Sequence, residues 1–498
     1  MSGEESMKSE LGMGRDEGRP GSVRILLWDY HVERSLVDEL AREGYEVVAT
    51  GIGRVAGVEQ ISLESFSAPG RVGAEPLDAR FAIRGSDGEF RCYNRGISRV
   101  GDHPFRRSVF LELGGAVLAD EVEPWMRVHT AEAVSILRRL RVHEVWFTSV
   151  PHFGLDEAVA MAARSIGATV LVTRQLPFPG KFLFEVQVQG RRLVPHVSGF
   201  KAWSRGATEL DLFYMRPREA PGSWTARWQR ALSIFRDLCV SPRERFLARI
   251  WFALSVRRLW KWAILLGHLD RYDSVRAPGI ARRFRDWVRF RGRRRCLSSI
   301  PESPFVFFAL HNEPEANADV YGGEYKFQPD ALAALSAALP AGWRILVKEN
   351  PAQSFVRRGE AFHRLIESLP DVWWVPDDTP STVLVARAVL VASLCGTVGY
   401  EALLAGKPCL FFGHPWYEGL PGAFRFEPGI DLEEVARCRV DKAALDAAVN
   451  AMVGAAADGI VTRRFTALVP DGGESEAMTR LTARSLVRIS RAARACWT

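Results

Sequence analysis

The run Ser393-Leu394-Cys395-Gly396-Thr397-Val398-Gly399-Tyr400-Glu401 leads from an apolar stretch into a helical pattern. A helix start presents unpaired N–H groups and a partial positive charge, which suits a phosphate, and glycine lets a ligand approach the backbone closely. Glu401 falls about one helical turn deeper, within reach of ribose hydroxyls. Ser393, Gly396, Thr397 and Glu401 are therefore candidates for holding a nucleotide. An ordinary strand-to-helix turn capped by Thr397 has the same pattern.

Other loops carry chemistry of the same kind. Lys348-Glu349-Asn350-Pro351 ends an apolar run, and Pro351 stops it, so Lys348 or Asn350 can meet a phosphate or carboxylate there. His311-Asn312-Glu313-Pro314-Glu315 follows another run; Glu313 is a candidate to act on a sugar hydroxyl, with His311 and Glu315 orienting an acceptor. His414 lies after a further run. Towards the N-terminus, Pro151-His152-Phe153-Gly154-Leu155-Asp156 makes His152 and Asp156 candidates for the base or nucleophile of a glycosyl transfer. Each loop also has a plainer reading, as a solvated or capping segment.

These loops share a position. Apolar runs at 305–310, 343–349, 372–375, 388–393 and 407–412 alternate with helical patterns near 328–339, 353–369, 379–386 and 397–405. Such alternation predicts a parallel sheet, whose strand-to-helix loops all emerge on one edge, where ligands bind. A second series begins with a strand at 23–28, a helix near 32–44 and a strand at 46–50. It resumes with a helix at 130–140 and strands at 144–148 and 168–173 around a helix at 155–166. Residues 51–125 read as irregular.

The expected organisation is a lead-in at 1–21, an N-terminal α/β domain at 22–204, a helical connector at 205–300, a nucleotide-sugar-binding α/β domain at 301–470 and a C-terminal helix at 471–498. The fold class is thus two Rossmann-like, doubly wound domains facing a cleft, with an Arg/Trp-rich insertion.

Bulk properties remove several function classes. The seven cysteines are scattered, without CxxC or other metal-ligand spacing, which reads as reduced thiols and no metal. Neither GxxxxGK[ST] nor GxGxxG occurs, which argues against an ATPase or a dinucleotide enzyme. No apolar run approaches the roughly 20 residues that span a bilayer, and the first residues lack an apolar signal core, so a cytoplasmic protein is expected. The net charge of +7 is unevenly spread. Arginine and tryptophan interleave over 251–295, and Arg480, Arg484, Arg488, Arg491 and Arg494 recur every three or four residues near the C-terminus. No nucleic-acid module accompanies them, which leaves two expectations: an anionic inner-membrane surface touched peripherally, or a solvated helix face packing its aromatics between domains.

The stretches HNEPEANADVYGGEYKFQPDALAALSAALPAGWRILVKENPAQ and LVASLCGTVGYEALLAGKPCLFFGHPWYEGLPG resemble bacterial capsular polysaccharide biosynthesis proteins, including Kdo-transferring enzymes of the GT-B fold. SVPHFGLDEAVAMAARSIG is similar to the N-terminal domain of the same group. The resemblance implies transfer from a nucleotide-sugar, CMP-Kdo-like, to a glycan or glycolipid acceptor, with no cofactor beyond that co-substrate. It also implies a His-Pro pair at the nucleotide. The matching position here reads Asn350-Pro351, and a neutral amide carries neither charge nor proton. That departure makes a non-catalytic capsule biosynthesis or export factor an alternative; a nucleotide-sugar epimerase is another, since those enzymes share the two-domain cleft and the Gly-Thr…Glu arrangement.

Overall fold

A computed structural model describes residues 22–28, 34–50, 55, 58–61, 82–86, 89–93, 119–151, 154–188, 191–203, 289–290, 292, 294–312, 315–350, 353, 360–462 and 475–496. The expected lead-in, most of the connector, His152, Glu313 and Pro351 lie outside the described residues.

In the N-terminal half the strands are β1 (Val23–Trp28), β2 (Tyr45–Ala49), β3 (Glu59–Gln60), β4 (Ala82–Ser86), β5 (Glu89–Tyr93), β6 (Glu144–Phe147), β7 (Thr169–Gln175), β8 (Lys181–Val188) and β9 (Arg191–Leu193). Helices α1 (Arg34–Arg42), α2 (Ala119–Arg139) and α3 (Gly154–Ser165) accompany them. The second half contributes β10 (Phe305–Ala309), α4 (Ala316–Asp319), α5 (Gln328–Ala337), β11 (Arg344–Lys348), α6 (Glu360–Ser368), β12 (Val372–Trp374), α7 (Ser381–Arg387), β13 (Leu390–Ser393), α8 (Thr397–Leu404), β14 (Cys409–Phe411) and β15 (Ala423–Arg425). Then follow α9 (Leu432–Arg437), α10 (Lys442–Ala455), β16 (Ala457–Asp458) and α11 (Glu476–Ala495).

The chain is an α/β protein of two Rossmann-like sheets. The C-terminal sheet is wholly parallel, in the order β12-β11-β10-β13-β14-β15. Numbered from its own first strand, that is the 3-2-1-4-5-6 order of a doubly wound fold, whose direction of winding reverses between β10 and β13. Its strands read as continuous apolar runs because both faces are covered. Val306 and Phe308 pack under α5 and α6, whereas Phe305 and Phe307 pack under α7, α8 and α10. The N-terminal sheet runs β3-β2-β1-β6-β7-β8-β16, with β3, β2, β1, β6 and β7 parallel and its reversal between β1 and β6.

Every strand expected from the apolar runs is present. The differences lie where the pattern is short or closes a hairpin. Residues 82–93 form the antiparallel pair β4–β5 inside the stretch read as irregular, and α2 starts at Ala119 rather than near 130. The antiparallel strand β8 and the three-residue β15 also went unpredicted; a three-residue edge strand has too few positions to show a period.

The chain crosses back at its end. Residues Ala457–Asp458 pair with β8 of the N-terminal sheet, and α11 packs on α1. Lys181 Nζ sits 2.9 Å from Asp458 Oδ1, both side chains under a tenth exposed, and donates to the carbonyls of Lys201 (2.6 Å) and Ala456 (3.2 Å). The β7–β8 turn in exchange enters the other half: Phe178 is fully buried, edge-on to Trp416 at 5.4 Å and to Trp203 at 5.7 Å.

The arginines of the C-terminal helix, expected at a membrane surface, have partners within the chain. Arg484 pairs with buried Glu39, Arg491 with Glu43 and Arg494 with Tyr45 and Glu144, while Arg488 donates to the Gly199 carbonyl and Arg480 pairs with Glu476. This stripe clamps the crossover onto the N-terminal half. From the other basic run, Arg295 forks onto the carbonyls of Glu367, Leu369 and Pro370, and Arg294 pairs with Asp377. Among the described residues, no helix is long and apolar enough to cross a membrane.

Candidate functional site

The reversal between β10 and β13 brings His311 and Ser393 together. The Cys395 N–H donates to His311 Nε2 (3.2 Å), so Nε2 bears no proton and the Ser393 hydroxyl, 3.1 Å away, donates to it. Ser393 Oγ in turn accepts from the Gly396 N–H at 3.2 Å. Gln328, at the start of α5, grips the His311 backbone from behind: its Oε1 accepts from His311 N (2.6 Å) and its Nε2 donates to His311 O (3.2 Å). His311 and Ser393 are both buried, so they shape the loop from beneath it.

The glycines have a different duty from the expected one. At φ −73° Gly396 needs no special conformation, yet a Cβ there would lie 2.7 Å from Ser393 Oγ and 2.9 Å from His311 Cε1. A Cβ at Gly399 would lie 2.1 Å from the Tyr417 hydroxyl, which donates to the Gly396 carbonyl at 2.7 Å. The room left by the missing side chains is taken by His311 and Tyr417, not by an open cradle. The N-cap of α8 is Gly396, with Thr397 as the first helical residue.

One turn on, Glu401 is partly buried, and among the described residues its carboxyl group forms no hydrogen bond or ion pair. Desolvation lifts its carboxyl above the usual carboxylate range. Burial also pushes the Cys395 thiol up to about 12 and raises the Tyr417 phenol well above its ordinary value. Lys348 is tied down: Nζ donates to Thr379 O (2.5 Å) and Ser381 Oγ (3.2 Å), and burial lowers its pKa. Asn350 caps its own loop, its N–H donating to Glu349 and its carbonyl accepting from Gln353. Glu315 lies close enough to the Cys395 thiol to oppose its ionisation.

His414 is mostly exposed at the end of β14. Arg425 donates to its Nδ1 at 3.3 Å and also pairs with Glu418, whose other oxygen is 3.6 Å from the same ring nitrogen. In the N-terminal half, Asp156 stands in the first turn of α3, and its Oδ1 accepts from Trp28 Nε1 at 2.7 Å. Trp28 ends β1, so Asp156 is held at the reversal of the N-terminal sheet, as His311 and Ser393 are at that of the C-terminal sheet.

The two carboxyl edges meet through Arg174. Its guanidinium lies 3.7 Å over the Tyr321 ring and donates to the His414 carbonyl at 3.2 Å. Sequence reasoning passed over Arg174, Tyr321 and Gln328, and it placed Tyr417 at the ligand edge without a role. For Arg174 the signal was present, since it directly follows the strand expected at 168–173. The roles of Gln328 and Tyr417 arise only from contacts distant in sequence.

Residues 317–438 match the family model described as capsule polysaccharide biosynthesis protein, which bears out the resemblance over that stretch. No curated protein matches the chain. Among solved structures, the β-Kdo 2,7 transferase of Thermosulfurimonas dismutans KpsC aligns at 21% identity over 36% of this chain and 55% of its own, with a TM-score of 0.22. The chain thus spans about half the length of that structure. The β-Kdo 2,4 transferase of the same KpsC aligns at 15% identity over 68% of this chain and 87% of its own, with a TM-score of 0.30. Acinetobacter baumannii MurG aligns at 11% over 94% and 99%, with a TM-score of 0.24.

Proposed function

We propose that the protein is a glycosyltransferase of surface polysaccharide assembly, moving a sugar from a nucleotide-activated donor to a glycan or glycolipid acceptor. The observation that carries this reading is the meeting of the two carboxyl edges at Arg174, with Asp156 held at the reversal of one sheet and the His311–Ser393–Gly396 junction at that of the other. The first turn of α8 then receives the phosphate and Glu401 the ribose hydroxyls, because the Glu401 carboxyl has no protein partner among the described residues. Thr397 offers a hydroxyl beside the phosphate, and Lys348 and Asn350 border the same edge. Asp156 serves as base or nucleophile from the opposite wall, held in orientation by the Trp28 indole.

The family match over 317–438 supports a place in capsule synthesis, and a CMP-linked acidic sugar is the donor class we favour. The test is a thermal-shift panel of CMP, UDP, GDP and CDP, followed by a transfer assay with the sugar donor of the stabilising nucleotide. A specific ligand raises the melting temperature as it occupies the native state. Absence of stabilisation by every nucleotide would overturn the reading. One observation favours a second possibility, a non-catalytic capsule factor: the position implied to be histidine is the uncharged Asn350, and Lys348 is already engaged by Thr379 and Ser381. Nucleotide binding without transfer or donor hydrolysis would select it.

A further inference from the structure

We propose that Arg174 is a ligand-binding residue supplied by the N-terminal half: its guanidinium takes an oxyanion of the donor, either a nucleotide phosphate or a carboxylate on the sugar. This deepens the nucleotide-sugar reading and rests on it.

Position comes first. Arg174 is fixed between the loop after β10, through the Tyr321 ring at 3.7 Å, and the loop after β14, through the His414 carbonyl at 3.2 Å. The next residue, Gln175, anchors the strand end, donating to the Lys181 carbonyl and accepting from the Val461 N–H, both at 2.8 Å. The positive charge of Arg174 is felt at the Cys395 thiol and the Tyr417 phenol, where it opposes the upward push of burial. Those two residues flank Gly396 and bond to its surroundings, so the charge lies beside the junction assigned to the nucleotide.

Charge balance comes second. Among the described residues Arg174 forms no ion pair, whereas its neighbours Arg192 and Arg425 are matched to Glu185 and Glu418. Only one of its N–H groups has a protein acceptor among those residues, which leaves most of a planar five-donor fork unused. The remaining donors are open to an anion, and the guanidinium fork fits phosphate and carboxylate oxygens in pairs. Because Arg174 comes from the opposite half, an anion bound there would bridge the two sheets and favour their closed arrangement.

The test compares wild type with Arg174→Gln and Arg174→Lys by isothermal titration calorimetry. The probes are cytidine, CMP, uridine, UDP, UDP-N-acetylglucosamine and CMP-N-acetylneuraminate. Losing a charge-assisted pair should weaken oxyanion-bearing probes by about tenfold or more while nucleosides bind unchanged. A loss already seen with CMP or UDP assigns the phosphate; a loss confined to CMP-N-acetylneuraminate assigns the sugar carboxylate. Arg174→Lys keeps the charge without the fork and should lose less, which also covers a failure of Arg174→Gln to fold. Equal affinity of both variants and wild type for every probe overturns the assignment. So does an equal loss for nucleosides and nucleotides, which would make Arg174 a structural latch alone. If wild type binds no probe, the nucleotide reading falls and takes this one with it.

Discussion

Trp28 and Asp156 are 128 residues apart in sequence, yet the indole Nε1 donates to the carboxylate at 2.7 Å. The bond fixes the first turn of α3 against the last residue of β1. It also gives Asp156 a defined orientation at the edge where the two halves meet. Asp156→Asn preserves the shape and removes the charge, so turnover should fall by about 10²-fold or more, with nucleotide affinity unchanged. Trp28→Phe should lower turnover less, by releasing the carboxylate without removing it. Near wild-type transfer by Asp156→Asn would reduce the residue to a helix-end anchor.

Gly399 is set by crowding, since an added methyl would collide with the Tyr417 hydroxyl. Gly399→Ala should destabilise the protein by about 1–3 kcal/mol, the usual cost of overpacking, and weaken nucleotide binding as Tyr417 leaves the Gly396 carbonyl. Pairing it with Tyr417→Phe, which removes the hydroxyl, should recover part of the melting temperature. Thermal and chemical denaturation of Gly399→Ala, Tyr417→Phe and the double variant measure this directly.

Glu401 trades stability for binding. Burial raises its carboxyl pKa, so the protonated form suits the fold better than the charged form. Its contribution is present below the unfolded pKa, near 4.3, and is lost as pH rises through the higher folded value. Glu401→Gln should therefore raise the melting temperature near neutral pH and leave it little changed around pH 4. The same variant should weaken nucleotide binding by about tenfold through loss of the charged acceptor. Melting curves and calorimetry across that pH range separate the two effects.

The described cysteines divide by exposure. Cys395 and Cys409 are buried with thiol pKa values pushed up, whereas Cys296 and Cys496 are exposed. Brief iodoacetamide treatment of the native protein near pH 8 should label Cys296 and Cys496 and spare Cys395 and Cys409. Peptide mass mapping reads the outcome, and early labelling of Cys395 would show that the junction opens in solution.

Much of the fold was legible because parallel strands buried on both faces leave unbroken apolar runs, as in FVFFA and LVAS. The placement of Asp156, His311, Ser393 and Glu401 at or near the carboxyl ends of strands follows from that one rule. What each loop residue does was less legible. Gly396 and Gly399 looked like room for a ligand, but the room is filled by side chains from 85 residues earlier and 18 later, a packing that local pattern does not encode. The arginines of α11 showed a periodic basic stripe and gave no hint of Glu39, Glu43 and Glu144, which lie more than 340 residues away along the chain.

The return of the chain through β16 and α11 also sets an order of assembly. All six strands of the C-terminal sheet lie within residues 305–425, so that sheet can close as soon as this stretch has left the ribosome. The N-terminal sheet, although synthesised first, must wait for residues 457–495 to supply its outer strand and the helix over α1. Contacts between such distant segments form slowly because the long loop must close before they can pay back its entropy. The half made first is thus completed last, and during that interval its apolar face beneath α11 is the surface a chaperone would have to shield.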